Sequence, residues 1–291
     1  MYLYTVSLHG KPTLAVSHAL DGALYAISDY GFSFPDMNAL IDTIQPQQFA
    51  ALQTPPEAAP LEDYRILAPI PCPKQDILCL GINYNEHAEE ATRFSKEAFT
   101  ANEPEIPIYF SKRVSQAVGP DEIVPAYTGL VDSLDYEVEL AVILGKTIKD
   151  CPEEAIPDAI FGYTVFNDFS ARNLQTAHKQ WYRGKSLDKH TAFGPCIVTA
   201  DEIGWPVALD ISCCVNGELR QHSNTRYMRT GIAQALSQFS QGLTLQSGTI
   251  LATGTPSGVC MGRDPQVFLK PGDEVTCTIE KLGTLRNPIG E

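Results

Sequence analysis

Hydrophobic and polar residues alternate with a period of two over much of the chain, which is the spacing of strands that bury one face. The pattern predicts strands over residues 2–8, 13–16, 23–27, 77–84, 108–112, 134–145, 160–168, 209–215, 218–220, 248–252 and 271–279. Helical spacing is confined to short stretches at 37–52, 85–91, 153–159 and 232–239. Asn216-Gly217 lies between two strand-like runs and reads as a hairpin turn. Pro55, Pro56 and Pro60 break any regular element and make residues 54–63 a linker. The order predicts an α+β chain that is mostly β: a small N-terminal α/β unit over residues 1–65, then a larger region over residues 66–291. Many strands and few helices fit a mixed-sheet β roll or distorted barrel better than a doubly wound sheet.

One run stands out within this pattern. In Leu134-Asp135-Tyr136-Glu137-Val138-Glu139-Leu140, apolar and acidic residues alternate before the chain becomes continuously aliphatic to Gly145. On a strand, Glu137 and Glu139 project from the same face. Two adjacent carboxylates repel unless something positive lies between them, and an oxygen-seeking divalent cation is the simplest candidate. Taken alone, such a pair is more often a solvent-facing acidic edge. The strand over 160–168 is apolar until Asn167 and Asp168, so it supplies a third carboxylate at its mouth. Three carboxylates leave room on an octahedral ion for water and substrate, and an all-oxygen set favours Mg2+ or Mn2+ over Zn2+.

Composition narrows the setting. The 291 residues are 44% hydrophobic and 19% charged, as in ordinary globular proteins, and are long enough to bury a sizeable core. A net charge of −14 argues against nucleic acid and anionic membrane surfaces as partners. No apolar run reaches spanning length, and the first residues lack the basic and apolar regions of a signal peptide. Eight scattered cysteines show no zinc-type spacing and fit buried thiols in a reducing cytosol, so a cytoplasmic location is expected.

Other segments carry candidate chemistry. His87 and Glu90 are three apart on a predicted helix, where a carboxylate can orient an imidazole as a water-activating base; a surface ion pair fits the same spacing. Arg183-Gly184-Lys185-Ser186 is no phosphate loop, because neither Lys179 nor Gln180 is glycine. Arg183 and Lys185 near a metal would suit an anionic substrate, although a basic surface loop explains them equally well. The loop Thr253-Gly254-Thr255-Pro256-Ser257-Gly258 offers amides and hydroxyls to a carboxylate, and no serine-hydrolase elbow is in register.

Gly81-Ile82-Asn83-Tyr84 with His87, the acidic run at 135–140, Asn167-Asp168-Phe169-Ser170-Ala171-Arg172, Arg183-Gly184-Lys185-Ser186, the loop at 253–258 and Leu282-Gly283-Thr284-Leu285-Arg286-Asn287 together resemble the fumarylacetoacetate hydrolase (FAH) family. The likeness spans roughly residues 66–290, with residues 1–65 resembling the small N-terminal domain of longer bacterial members. It implies a mixed β-sandwich roll, a homodimer, and Mg2+ or Mn2+ on Glu137, Glu139 and Asp168. It also implies a His87–Glu90 dyad on a segment that closes over substrate, oxyanion stabilisation by Lys185 and Gln175, and a contact from Thr255 to a substrate carboxylate. Leu187, Cys260 and Arg229 depart from the family pattern and bear on which substrate is taken.

The expected activity is hydrolysis of a carbon–carbon bond in an acylpyruvate-like 2,4-dioxo acid. The same site would also serve oxaloacetate decarboxylation or tautomerisation, or hydration of a 2-oxo-alkenoate. A non-catalytic binding protein would be expected to lack a ligand or the base, and neither is missing.

Overall fold

The computed structural model describes residues 1–87, 106–178 and 180–291. Ten strands form the main sheet. Their spatial order is Tyr25–Ala26, Lys11–Ser17, Tyr2–Leu8, Thr191–Thr199, Ile160–Asp168, Val138–Leu144, Ile250–Ala252, Ile77–Gly81 and Ile108–Lys112, and Tyr64–Ile66 also pairs with Tyr2–Leu8. Ile250–Ala252 runs parallel to Ile77–Gly81, which makes the sheet mixed. Tyr2 and Leu3 pair with Val198 and Ile197, so the first strands are hydrogen-bonded into the same sheet as the acidic run. A second sheet of five strands is ordered Glu218–Asn224, Asp210–Val215, Glu274–Ile279, Gly283–Gly290 and Val124–Pro125.

The central strand Val138–Leu144 is buried along its whole length. Leu140, Val142 and Leu144 join one apolar core together with Ile211, Cys213, Val275 and Cys277 of the five-stranded sheet. Ala141 and Ile143 join another, with Met37, Leu40 and Ile41 of the N-terminal helix Met37–Thr43. Covering both faces explains why the aliphatic run loses its alternation after Glu139. The fold is mostly β with short helices, as the pattern predicts.

Three local expectations are corrected. The acidic run is not one strand: Leu134–Asp135 pairs with Ser170–Ala171, and the ladder resumes at Val138. Between them, the Asn167 side chain accepts from the Glu137 amide at 3.0 Å, and the Asp168 amide donates to the Glu137 carbonyl at 2.9 Å. The stretch 153–159 forms two short 3-10 turns, Glu153–Ala155 and Pro157–Ala159, because Pro157 has no amide to continue a helix. The strand from residue 77 stops at Gly81, since Ile82 has φ +51°, a conformation that a β-branched residue rarely adopts.

His190 gives the fold an acid-sensitive point. It is fully buried, with Nε2 2.8 Å from the Pro125 carbonyl and no partner for Nδ1 among the described residues. Burial is the main reason its pKa is held down to about 4, against an ordinary 6.5. Between those values the unfolded chain binds the proton and the folded chain does not. Stability is therefore expected to fall as pH drops from about 6.5 to about 4, by roughly 3 kcal/mol in all. Urea midpoints measured across this window should fall for the wild type and flatten in His190→Gln.

Candidate metal centre

The site lies where Val138–Leu144 pairs with Ile160–Asp168, with Glu139 opposite Phe166 and Val138 opposite Asn167. Glu137, Glu139 and Asp168 are all buried, and each places an oxygen within 4.8 Å of the other two. Glu137 and Glu139 flank Val138, as two-residue spacing requires, and Asp168 is the last residue of the neighbouring strand. Strand pairing brings Glu139 and Asp168 together, and Glu137, in the break just before Val138, joins them through its backbone bonds to Asn167 and Asp168.

Buried cations surround two of the three carboxylates. The Lys185 ammonium donates to Glu137 Oε2 at 2.7 Å and to Asp168 Oδ2 at 2.8 Å. Arg172 Nη2 lies 2.7 Å from Glu137 Oε1, and Lys112 donates to Asp168 Oδ1. Glu139 is held differently: Gly254 N–H donates to its Oε2 at 2.7 Å, and it has no ion pair among the described residues. Burial alone would raise the pKa of Glu137, but Lys185 and then Arg172 reverse this and hold it down at about 2. Burial, followed by the charges of Asp168 and Glu137, pushes Glu139 well above the usual carboxylate range.

A divalent cation fits this arrangement. The donors are hard oxygens in the number Mg2+ or Mn2+ accepts alongside water or substrate oxygens. As an anion, Glu139 would have one amide donor and no ion pair among the described residues, a costly state unless a proton or a metal supplies the missing charge.

Supporting groups fix the ligands. Asp135 accepts from Tyr136 N (2.9 Å), Cys260 N (2.7 Å), Met261 N (3.0 Å) and Arg172 Nε (2.8 Å), which aims the Arg172 guanidinium at Glu137. Asn83 uses its whole amide: Nδ2 donates to the Thr230 and Thr253 carbonyls at 3.0 and 2.8 Å, and Oδ1 accepts from Thr230 N at 2.8 Å. Gly254 has φ +88°, and a Cβ there would come 2.8 Å from the Asn83 Cβ, so the amide that holds Glu139 depends on glycine.

Glu137 and Glu139 open into a cleft. Leu80, Phe110, Trp181 and Val259 form its apolar side, while His87, Arg172, Gln175 and Lys185 supply polar groups. A Cβ on Gly81 would meet the Trp181 ring at 2.5 Å, so the indole packs onto a strand end that only glycine leaves clear.

Of the residues expected from the sequence, His87, Lys185, Gln175 and Thr255 line this cleft together with Glu137 and Glu139. A positive charge on His87 would favour the ionised form of Glu137. Gln175 Oε1 accepts from Arg172 at 2.9 Å. The Thr255 hydroxyl donates to the Val138 carbonyl at 2.9 Å and accepts from Gln221 at 2.8 Å. Glu90 lies outside the described residues. Arg183 is exposed and is not part of the cleft wall, because on the turn Tyr182–Lys185 residues two apart face opposite ways and Lys185 is the buried one.

Sequence reasoning assigned no role to Arg172, Lys112 or Asp135. Arg172 had a usable signal, since it follows Asp168 by four residues and opens the helix Arg172–Ala177. All eight cysteines are free. No helix among the described residues is long and apolar enough to cross a membrane.

A mixed sheet that gathers three buried carboxylates beside a cleft, with cations around them, defines a metal-site enzyme. Residues 76–290 match the family described as fumarylacetoacetate (FAA) hydrolase C-terminal, and the chain belongs to that family. It is 42% identical over 230 residues to oxaloacetate tautomerase YisK of Bacillus subtilis, covering 79% of this chain and 74% of that one. A fumarylacetoacetate hydrolase from psychrophilic Exiguobacterium antarcticum superposes with a TM-score of 0.84 at 32% identity, covering 100% of this chain and 99% of the other. Maleylpyruvate hydrolase from Sphingobium sp. SYK-6, solved with manganese(II) and pyruvate, superposes with a TM-score of 0.77 at 27% identity, covering 100% and 99%.

Proposed function

We propose that this protein interconverts the keto and enol forms of oxaloacetate, using Mg2+ or Mn2+ held by Glu137, Glu139 and Asp168. The observation that carries this reading is the 42% identity to an oxaloacetate tautomerase over most of the chain. The cleft supports it, since it sets a cation site beside buried positive groups suited to a small dianion. The ion would supply Lewis acidity to the 2-oxo carbonyl. His87 takes the proton from C3 as the C3–H pair becomes the C2–C3 double bond, and a proton returns to the carbonyl oxygen to give the enol. Glu90, three residues further on, would orient His87. Lys185 offsets the charge that gathers on oxygen, and Arg172 and Gln175 face the substrate across the cleft.

The second reading, hydrolysis of an acylpyruvate, is favoured by the likeness to maleylpyruvate hydrolase and needs the same site plus an activated water. Decarboxylation of oxaloacetate and hydration of a 2-oxo-alkenoate belong to the same alternative set. Enol decay of oxaloacetate and cleavage of acetylpyruvate, followed with the Mn2+-loaded protein, separate these readings. Catalysed enol decay without acetylpyruvate cleavage is expected, with enol decay lowered roughly a hundred- to ten-thousandfold in His87→Ala. Cleavage of acetylpyruvate at the faster rate would favour the hydrolase.

A further inference from the structure

Lys112 is as buried as any residue in the protein, yet it does not line the cleft. It ends the outermost strand of the main sheet, Ile108–Lys112, where a lysine would ordinarily reach solvent. Its ammonium turns inward and uses all three protons: on Asp168 Oδ1, on the Phe169 carbonyl at 3.0 Å and on the His190 carbonyl at 2.6 Å. Asp168 and Thr191 are the last paired residues of their two strands, so these carbonyls lie just beyond the end of the ladder. Lys112 therefore closes the open end of two strands and grips the far oxygen of a metal ligand from behind. Asp168 is left with one oxygen, Oδ2, on the side shared with Lys185.

The charge count gives this grip a consequence. Among the described residues, with every carboxylate ionised as metal binding requires, four buried carboxylates (Asp135, Glu137, Glu139 and Asp168) face three buried cations (Lys112, Arg172 and Lys185), which leaves one net negative charge. A divalent ion turns that into one net positive charge, which attracts a dianionic 2-oxo acid. Without Lys112 the ion-free site would be more negative and the loaded site neutral.

We propose that Lys112 is a positioning residue that restricts Asp168 to a single metal-facing oxygen and, through its fixed charge, weakens cation binding while strengthening binding of the anionic substrate. The proposal rests on the metal site and holds for any 2-oxo dianion turned over there.

The test titrates ion-free wild type, Lys112→Met, Lys112→Gln and Lys112→Arg with manganese chloride by calorimetry, then measures KM and kcat at saturating Mn2+. In the Met and Gln variants, the Kd for Mn2+ is expected to fall about tenfold and KM for oxaloacetate to rise about tenfold, with kcat changing less. Lys112→Arg should return both constants toward wild type. General damage to the site would weaken the ion and the substrate together. An unchanged or weaker Mn2+ affinity in folded Met or Gln variants would overturn the proposal. So would loss of the folded state in both, which would make Lys112 a staple of the ladder end alone. Failure of the wild type itself to bind Mn2+ would instead remove the metal reading on which the function rests.

Discussion

Glu139→Gln is expected to lower metal-dependent turnover by at least about a hundredfold, the upper end of the loss when groups that merely support a ligand are removed. The same change should raise the thermal midpoint of the ion-free protein by roughly 2–4 °C. The two effects have opposite signs because Glu139 is the one member of the triad with no ion pair among the described residues. In the absence of metal it must be protonated or remain a buried charge next to Glu137 and Asp168, and a neutral amide of the same shape avoids both states. Scanning calorimetry in a chelator, paired with activity at saturating Mn2+, reads both quantities. A midpoint that falls would show that the carboxylate is not under electrostatic stress, and the case for a missing cation would go with it.

Asp135→Ala is expected to cost about 3–5 kcal/mol of stability, the range for breaking a buried ion pair from one side. The substitution strands Arg172 without its Nε acceptor and leaves the amides of Tyr136, Cys260 and Met261 without theirs. Asp135→Asn keeps an acceptor but drops the charge, so its loss should be smaller. Urea unfolding at neutral pH separates the two variants. Near-equal midpoints for wild type and Asp135→Ala would mean that Asp135 does not organise the Arg172 side of the cleft.

The triad was legible because strands convert sequence spacing directly into direction. Residues two apart must share a face, and a carboxylate at the end of an apolar strand is conspicuous. Lys112 was not legible. Nothing local distinguishes it from a lysine that ends a strand in solvent, since its acceptors at Asp168, Phe169 and His190 arrive from far along the chain. The strand Thr191–Thr199 was also passed over. It is buried on both faces and so lacks alternation, and Gly194-Pro195 in its middle reads as a breaker. Arg183 and Lys185 looked equivalent in the sequence, and only the direction of one short helical turn separates an exposed residue from a buried one. The pause at Tyr136 and Glu137 came from side chains, Asp135 and Asn167, taking over bonds that a regular ladder would have made.

The saturated amide of Asn83 has a mechanical meaning. One side of this residue adjoins Ile82, in a backbone state that costs of order 1–3 kcal/mol to hold. The other side is riveted to Thr253, whose neighbour Gly254 grips Glu139. The exit of the strand Ile77–Gly81 is thus tied to a ligand oxygen through two hydrogen bonds and a single peptide unit, which anchors the doorway of the cleft to its floor.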